Sequence, residues 1–285
     1  GTKYATFFSK TIGAEVSYLV YLPAEYESSG AKRFPVIYWL HGGGGTQSRG
    51  VGFVEHLKAA NKAQQTPPAI VVLINGLRES CYSDSKDGRI PMETVIVKDL
   101  IPHIDATYRT IATARGRAIE GFSMGGWGAL RLGFRHTDLF GTISALGPAV
   151  LSEKDKPMKI PKTAFAKMFS GDPEALKAAS AWTAAEQNAA AVLRAKPRLR
   201  IVVGDADPLC PLLKEYRQLL DQLGISYDYT ELPGVGHNYR TLYETLGGRK
   251  AFSFYTDSFG DEIAAFAKSS YKAGMYAFAE VELKR

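Results

Sequence analysis

One hexapeptide limits the folds open to this chain more than anything else in it: Gly121-Phe122-Ser123-Met124-Gly125-Gly126. It follows the apolar run Ala118-Ile119-Glu120 and precedes a helical stretch rich in small residues. Strand, sharp turn, helix is the setting in which G-x-S-x-G lifts a serine clear of a sheet. Side chains flanking the serine would collide where strand and helix close on each other, so glycine is needed there. The helix N-terminus then points its positive end at charge developing beside the serine. The competing reading, a glycine-rich turn with a bystander serine, does not explain the strand before it and the helix after it.

A turn of this kind needs strands alternating with helices, and the rest of the chain supplies them. Glu15 to Tyr21 alternates in strand fashion, with Val16, Tyr18 and Val20 on one side. Val36 to Leu40, Ala69 to Ile74, Ala118 to Glu120, Thr142 to Leu146 and Leu199 to Val203 are short β-branched or apolar runs that read as buried strands. Tyr227 to Glu231 is a further strand. Helical spacing runs through Leu212, Leu213, Tyr216, Leu219, Leu220 and Leu223, with Gly224 as the stop. It recurs in Val95, Ile96, Leu100, Ile101, Ile104 and Tyr108, with a kink expected at Pro102, and in Phe259, Ile263 and Phe266. The expected architecture is one α/β domain over residues 1–285, a mostly parallel central sheet with helices on both faces. Chemistry in such a sheet collects at the carboxyl ends of the strands. Residues 148–197, rich in Ala, Lys and Pro with a helix start at Asp172-Pro173-Glu174, read as an insertion or partial lid. The tail after Tyr271 is ambiguous.

Composition removes several classes. A chain of 285 residues that is 45% hydrophobic and 22% charged is globular rather than disordered or coiled coil. No apolar run reaches the roughly 18 residues of a membrane span. The net charge of +6 is spread along the chain without a basic run interleaved with aromatics, so no nucleic-acid partner is expected. The histidines lack ligand spacing and the two cysteines lie far apart, so no metal is expected. The chain begins Gly1-Thr2-Lys3: either a leader has been removed or the chain was cut to begin here. A secreted or periplasmic location is the expectation, with a cytoplasmic one as the alternative. The oligomeric state is open.

Three more segments each follow a strand. His41-Gly42-Gly43-Gly44-Gly45 follows Val36 to Leu40, and its glycines let backbone N–H groups approach a ligand. A phosphate loop is the rival reading, but no Gly-Lys-Ser/Thr follows and no G-x-G-x-x-G frame fits. Gly204-Asp205-Ala206-Asp207-Pro208 follows Leu199 to Val203, and Gly234-Val235-Gly236-His237-Asn238 follows Tyr227 to Glu231. Ser123, Asp207 and His237 thus come in the order Ser, Asp, His used by α/β-hydrolases. His56, His103 and His136 sit in helical or helix-end patterns suited to packing, and His41 belongs to the glycine loop. That leaves His237 as the base. Asp205 competes with Asp207 for the acid, and its other role is to hold the loop through backbone hydrogen bonds.

These motifs together resemble the esterase D group of α/β-hydrolases, which includes S-formylglutathione hydrolases, feruloyl and acetylxylan esterases, enterochelin-type esterases and mycolyl transferases. Lys98 to Asp105 is similar to that group's helix before the elbow, and Phe169 to Trp182 to the segment before its acid strand. The likeness runs from about Ala14 to Phe266. It implies an α/β-hydrolase fold and a serine carboxylesterase that works through an acyl-enzyme without a cofactor. Ser123 would be the nucleophile, His237 the base and Asp207 its orienting acid. The N–H groups of Gly43 and Met124 would form the oxyanion hole. The family spacing favours Asp207, three residues after Gly204. The glycine loop departs from the S-formylglutathione hydrolase pattern, which leans the reading toward acetyl or feruloyl esters of plant polysaccharide. An acyltransferase on the same triad, a thioesterase such as S-formylglutathione hydrolase, and a non-catalytic binding module are the alternatives.

For substrate contacts the candidates are Tyr82, in the segment Asn75 to Arg89 with Arg78, Asp84 and Lys86, together with Trp127, Trp182, Leu209 and Tyr239. Surface or core packing is the competing role of each. A polar, aromatic-rich rim would suit a small-molecule or polysaccharide-linked ester. Cys81 and Cys210 also follow strands. Either they are bridged across the rim, or they are two free thiols acting as small apolar linings.

Overall fold

The computed structural model describes residues 1–151, 161–246 and 251–264. In chain order the strands are β1 (Lys3–Ser9), β2 (Ala14–Tyr21), β3 (Val36–Leu40), β4 (Ile70–Ile74), β5 (Arg117–Phe122), β6 (Thr142–Leu146), β7 (Arg198–Gly204) and β8 (Asp228–Leu232). The helices are α1 (Val51–Lys62), the single turn α2 (Met92–Thr94), α3 (Ile101–Thr107), α4 (Met124–Arg135), α5 (Lys162–Phe169), α6 (Pro173–Ala178), α7 (Ala181–Ala195), α8 (Cys210–Gln222) and α9 (Tyr239–Leu246). Residues 251–264 are helical as well. The expected late helix is therefore present, while Phe266 and the tail after Tyr271 lie outside the described residues, as do residues 152–160 of the insertion.

The strands form one sheet in the order β1-β2-β4-β3-β5-β6-β7-β8. β1 and β2 pair antiparallel, β2 pairs antiparallel with β4, and every other pair is parallel. Pattern reading misses β1, because its Tyr4 and Phe8 face solvent instead of a core, 67% and 60% exposed. Both faces of the sheet are covered. Val36, Tyr38 and Leu40 of β3 pack in one cluster with α3, α4, α7 and α8. Ile37 and Trp39 pack in the other with α1, α9 and the helical residues 251–264. Successive strand residues point to opposite faces, so a strand buried on both reads as an unbroken apolar run. Around the kink expected at Pro102, Val95–Leu100 winds as a wide π-helical stretch that runs into α3.

A polar ladder interrupts the core beneath the carboxyl edge. Glu120, Ser144 and Arg200 are register partners across β5, β6 and β7. Glu120 Oε2 accepts from Arg200 Nη2 at 2.9 Å, from Ser144 Oγ at 2.7 Å, and from the Tyr255 hydroxyl. All three ladder residues are buried. A one-residue slip of any of these strands would strand a charge in the core, so the ladder holds the register of the strands that carry the site.

The bridge between Cys81 and Cys210 is not formed: both are free and buried. Cys81 lines a cavity beside Ser123, whereas Cys210 opens α8.

Candidate active site

The sharp turn expected at the serine is present, and it is strained. Ser123 has φ 58° and ψ −115°, a conformation that costs a non-glycine residue on the order of 1–3 kcal/mol. It is held by Ser123 N–H donating to Leu146 O at 3.0 Å and by Trp127 N–H donating to Ser123 O at 3.0 Å. The flanking glycines are required by contact. A Cβ on Gly121 would lie 2.1 Å from Gly125 O, and one on Gly125 would lie 2.1 Å from Leu40 O.

The loops after β7 and β8 bring the other two groups to it. His237 Nε2 lies 2.8 Å from Ser123 Oγ, and His237 Nδ1 lies 2.6 Å from Asp207 Oδ2. Asp207 has no exposed side-chain surface, and its Oδ1 accepts from the Leu209 N–H at 2.8 Å. Between competing acids, Asp205 takes the loop role: its Oδ1 accepts from Gly234 N–H at 2.7 Å and ties the two loops together. The His237 ring packs on Phe122 at 4.6 Å. Gly147, at φ 47°, leaves the gap in which Asp207 and His237 meet; a Cβ there would lie 3.1 Å from Asp207 Oδ2.

The glycine loop lies across from the elbow. A Cβ on Gly43 would lie 3.9 Å from the Met124 Cβ, so the two residues face each other beside Ser123. Gly44 N–H donates to Arg78 O at 2.7 Å, and Gly45 N–H to Gly42 O at 3.1 Å. His41 is buried within the loop, and burial lowers its pKa.

A cavity of about 260 Å³ opens at the serine. Trp127, Met124, Cys81, Ala149, Leu151, Pro161 and Ala164 make its wall largely apolar, with Arg78 and Glu79 as its charged lining. Cavity size is no guide to the chemistry here. One of about 310 Å³ between the β1–β2 hairpin and the loop after β4, and one of about 470 Å³ beside Thr66, contain no histidine.

Of the five side chains expected at the substrate, Trp127 lines this cavity, its Nε1 donating to Ala179 O at 2.8 Å. The other four have different surroundings. Tyr82 is fully buried with its hydroxyl on His41 O. Trp182 donates to Val150 O at 2.9 Å and packs edge-on to Tyr216. Leu209 packs against the core behind Asp207. Tyr239 donates to Arg49 O at 3.1 Å and packs edge-on to Trp39. Ala149, Leu151, Pro161 and Ala164 were missed by sequence reasoning. Their only signal is that they lie in the expected insertion, whose helix α5 is tied across the cavity by Thr163 Oγ1 donating to Glu79 Oε1 at 3.0 Å.

The remaining histidines pack. His103 Nε2 lies 3.0 Å from the Tyr18 hydroxyl, His56 stacks on Tyr243, and His136 Nε2 lies 2.8 Å from Glu93 Oε1. Among the described residues, no three His, Cys, Asp or Glu side chains are grouped to hold a metal, and no helix is long and apolar enough to cross a membrane.

Residues 9–217 match the family named Esterase, described as "Putative esterase". The chain is 37% identical over 155 residues to Esterase Rv1288 of Mycobacterium tuberculosis, covering 52% of this chain and 32% of that protein. It is 32% identical over 176 residues to an endo-1,4-beta-xylanase/feruloyl esterase of Xylanibacter ruminicola, covering 56% and 23%. The chain thus spans about a third or less of the length of these curated relatives. Among solved structures, a ferulic acid esterase superposes with a TM-score of 0.76 at 26% identity, over 91% of this chain and 98% of that one. An S-formylglutathione hydrolase from Staphylococcus aureus superposes with a TM-score of 0.73 at 17% identity, over 90% and 98%. The fold is that of the α/β-hydrolases.

Proposed function

The chain belongs to the Esterase family of carboxylic ester hydrolases, and on that premise we propose that Ser123, His237 and Asp207 are a catalytic triad that cleaves esters through an acyl-enzyme. The observation that carries this reading is the pair of His237 contacts, 2.8 Å to Ser123 Oγ and 2.6 Å to Asp207 Oδ2, on a strained strand-to-helix turn. His237 takes the serine proton as Oγ attacks the ester carbonyl, then returns it to the leaving alcohol. Asp207 holds the proton-bearing Nδ1 and stabilises the imidazolium. The N–H groups of Gly43 and Met124 bind the oxyanion, each worth about 3 kcal/mol of transition-state stabilisation. Water then attacks the acyl-enzyme, with His237 as its base.

The acyl group is a phenylpropenoyl unit such as feruloyl. An apolar cavity of about 260 Å³ backed by Trp127 leaves most of its wall bare against an acetyl group, whereas a flat aromatic acid covers it. The feruloyl esterase named among the relatives supports the same class. The alcohol is a sugar hydroxyl of plant polysaccharide. A polymer of that size does not cross a membrane, so this substrate goes with a secreted or periplasmic placement. Residues 1–285 are then one hydrolase domain, with the insertion over residues 148–197 as its partial lid.

The test is labelling by a fluorophosphonate, followed by a screen of acetyl, butyryl and feruloyl esters and an S-acyl glutathione. Labelling that survives in Ser123→Ala removes the triad. A kcat/KM that favours acetyl over feruloyl esters removes the acyl assignment, and preferential turnover of the thioester moves the class to thioesterases. Running the feruloyl reaction with added xylo-oligosaccharide separates hydrolysis from acyl transfer.

A further inference from the structure

Tyr82 is the second buried residue of a turn in which two successive non-glycine residues have positive φ, Cys81 at 52° and Tyr82 at 51°. Such a pair persists only where the surroundings over-determine it. Those surroundings are specific. The Tyr82 N–H donates to Ser80 Oγ at 3.1 Å, and its ring fills a slot that only glycines leave open. A Cβ on Gly76 would lie 2.1 Å from that ring, and one on Gly128 of α4 would lie 2.7 Å from it. The ring meets the His41 ring edge-on at 5.7 Å, and the hydroxyl donates to His41 O at 3.0 Å.

The His41 end of this contact leads to the oxyanion loop. Gly76 N–H donates to His41 Nε2 at 3.2 Å, so that nitrogen is the acceptor and Nδ1 carries the proton. Nδ1 donates to Gly42 O at 2.9 Å, and Gly45 N–H reaches the same oxygen at 3.1 Å. Gly42 C=O and Gly43 N–H belong to one trans peptide, in which the two bonds point in opposite directions. Two donors that hold the carbonyl on one side therefore aim the Gly43 N–H at the other. Among the described residues that N–H has no intramolecular partner, and Gly43 borders the cavity at Ser123.

We propose that Tyr82 is a positioning residue for transition-state binding: its hydroxyl, through the His41 carbonyl, holds the His41 ring where it aims the Gly43 N–H at the oxyanion. This rests on the esterase reading above. It gives Tyr82 a role distinct from a substrate contact, because the ring never reaches the cavity.

The test is Tyr82→Phe, which keeps the ring and removes only the donor. A donor that is misaimed rather than deleted should cost less than the roughly 100- to 1,000-fold of a lost one, so kcat is expected to fall about 10-fold with KM within about twofold. A boronic acid that forms a tetrahedral adduct on Ser123 should weaken by the same factor, while inhibition by the product acid is unchanged. A purely structural role would weaken both ligands together or neither. Wild-type kcat, a loss confined to KM, or equal weakening of boronate and product overturns the inference. Should Tyr82→Phe fail to fold, Ser80→Ala keeps the hydroxyl but frees the turn that aims it, and the same kcat and boronate loss is required of it. The Ser123→Ala control separates the two levels: an inactive Ser123→Ala beside a wild-type Tyr82→Phe removes the positioning role and leaves the esterase reading in place.

Discussion

Among the described residues, two histidine–carboxylate pairs have nearly the same spacing and different surroundings. Asp207 lies 2.6 Å from His237, and Glu93 lies 2.8 Å from His136. Among the described residues, Asp207 is given one backbone N–H besides its histidine, and no arginine. Glu93 is shared by Arg131 and Arg135 as well, the latter at 2.9 Å. Burial raises the Glu93 pKa, but the His136 hydrogen bond and the arginine charges outweigh it and hold that carboxyl down at about 2. The far side of each ring differs too. His237 presents Nε2 to a serine at the sheet's carboxyl edge, while His136 closes the far end of α4. A histidine beside a carboxylate is thus no signature of catalysis. An acid left without other cations among the described residues, and a serine hydroxyl on the opposite ring nitrogen, are what suit the first pair to the proposed proton relay and the second to a clamp.

This contrast can be broken most sharply at the serine. Ser123→Ala should lower kcat/KM for a p-nitrophenyl ester by roughly 10⁴-fold or more with an unchanged circular dichroism spectrum; more than a tenth of wild-type activity in pure protein contradicts the triad. Next comes the acid. Asp207→Asn should cost about 10³- to 10⁴-fold in kcat, because the wrong imidazole tautomer is then favoured. Asp205→Asn should cost under about tenfold, since Asp205 accepts a backbone hydrogen bond outside the relay. Reversal of that ranking would exchange the two roles.

At the clamp the expected effect is on stability. Glu93→Gln leaves Arg131 buried without its anion and should destabilise by about 3–5 kcal/mol, with kcat/KM of the folded fraction within about threefold of wild type. Denaturant titration measures the first and active-site-normalised kinetics the second. A smaller, pH-dependent effect belongs to the same residue. Its folded pKa of about 2 lies below an unfolded value of about 4.3, so its stabilisation is complete above about pH 5 and is lost as pH falls toward 2. That amounts to about 3 kcal/mol, and the acid limb of the stability curve should flatten in Glu93→Gln. An unchanged acid limb would show that other carboxylates dominate it. The smallest effect is expected for His136→Gln, under about 1.5 kcal/mol and with no change in turnover, against the near-complete loss expected for His237→Gln.

What could be read from the chain by itself is what a few neighbouring residues decide. Gly121 announces the elbow because a Cβ there would meet Gly125 O across the turn, while the need for glycine at Gly125 comes from Leu40 O on the neighbouring strand β3. The buried strands are legible because burial on both faces of a parallel sheet demands unbroken apolar runs; Ser123 and Asp207 follow such strands, whereas His237 follows the half-buried edge strand β8. Side-chain surroundings are another matter, since they depend on which distant segments pack together. Tyr82 sits four residues from Arg78 in one loop, yet its ring is buried between Gly76 and Gly128 with its hydroxyl on His41 O, while Arg78 lines the cavity. The free thiols of Cys81 and Cys210, the shared arginines of Glu93, and the insertion residues at the wall of the cavity beside Ser123 were settled only by tertiary packing. Motif and periodicity record local backbone constraints; the partner that a side chain meets is set by the meeting of surfaces far apart in sequence, and that leaves no mark on the residues beside it.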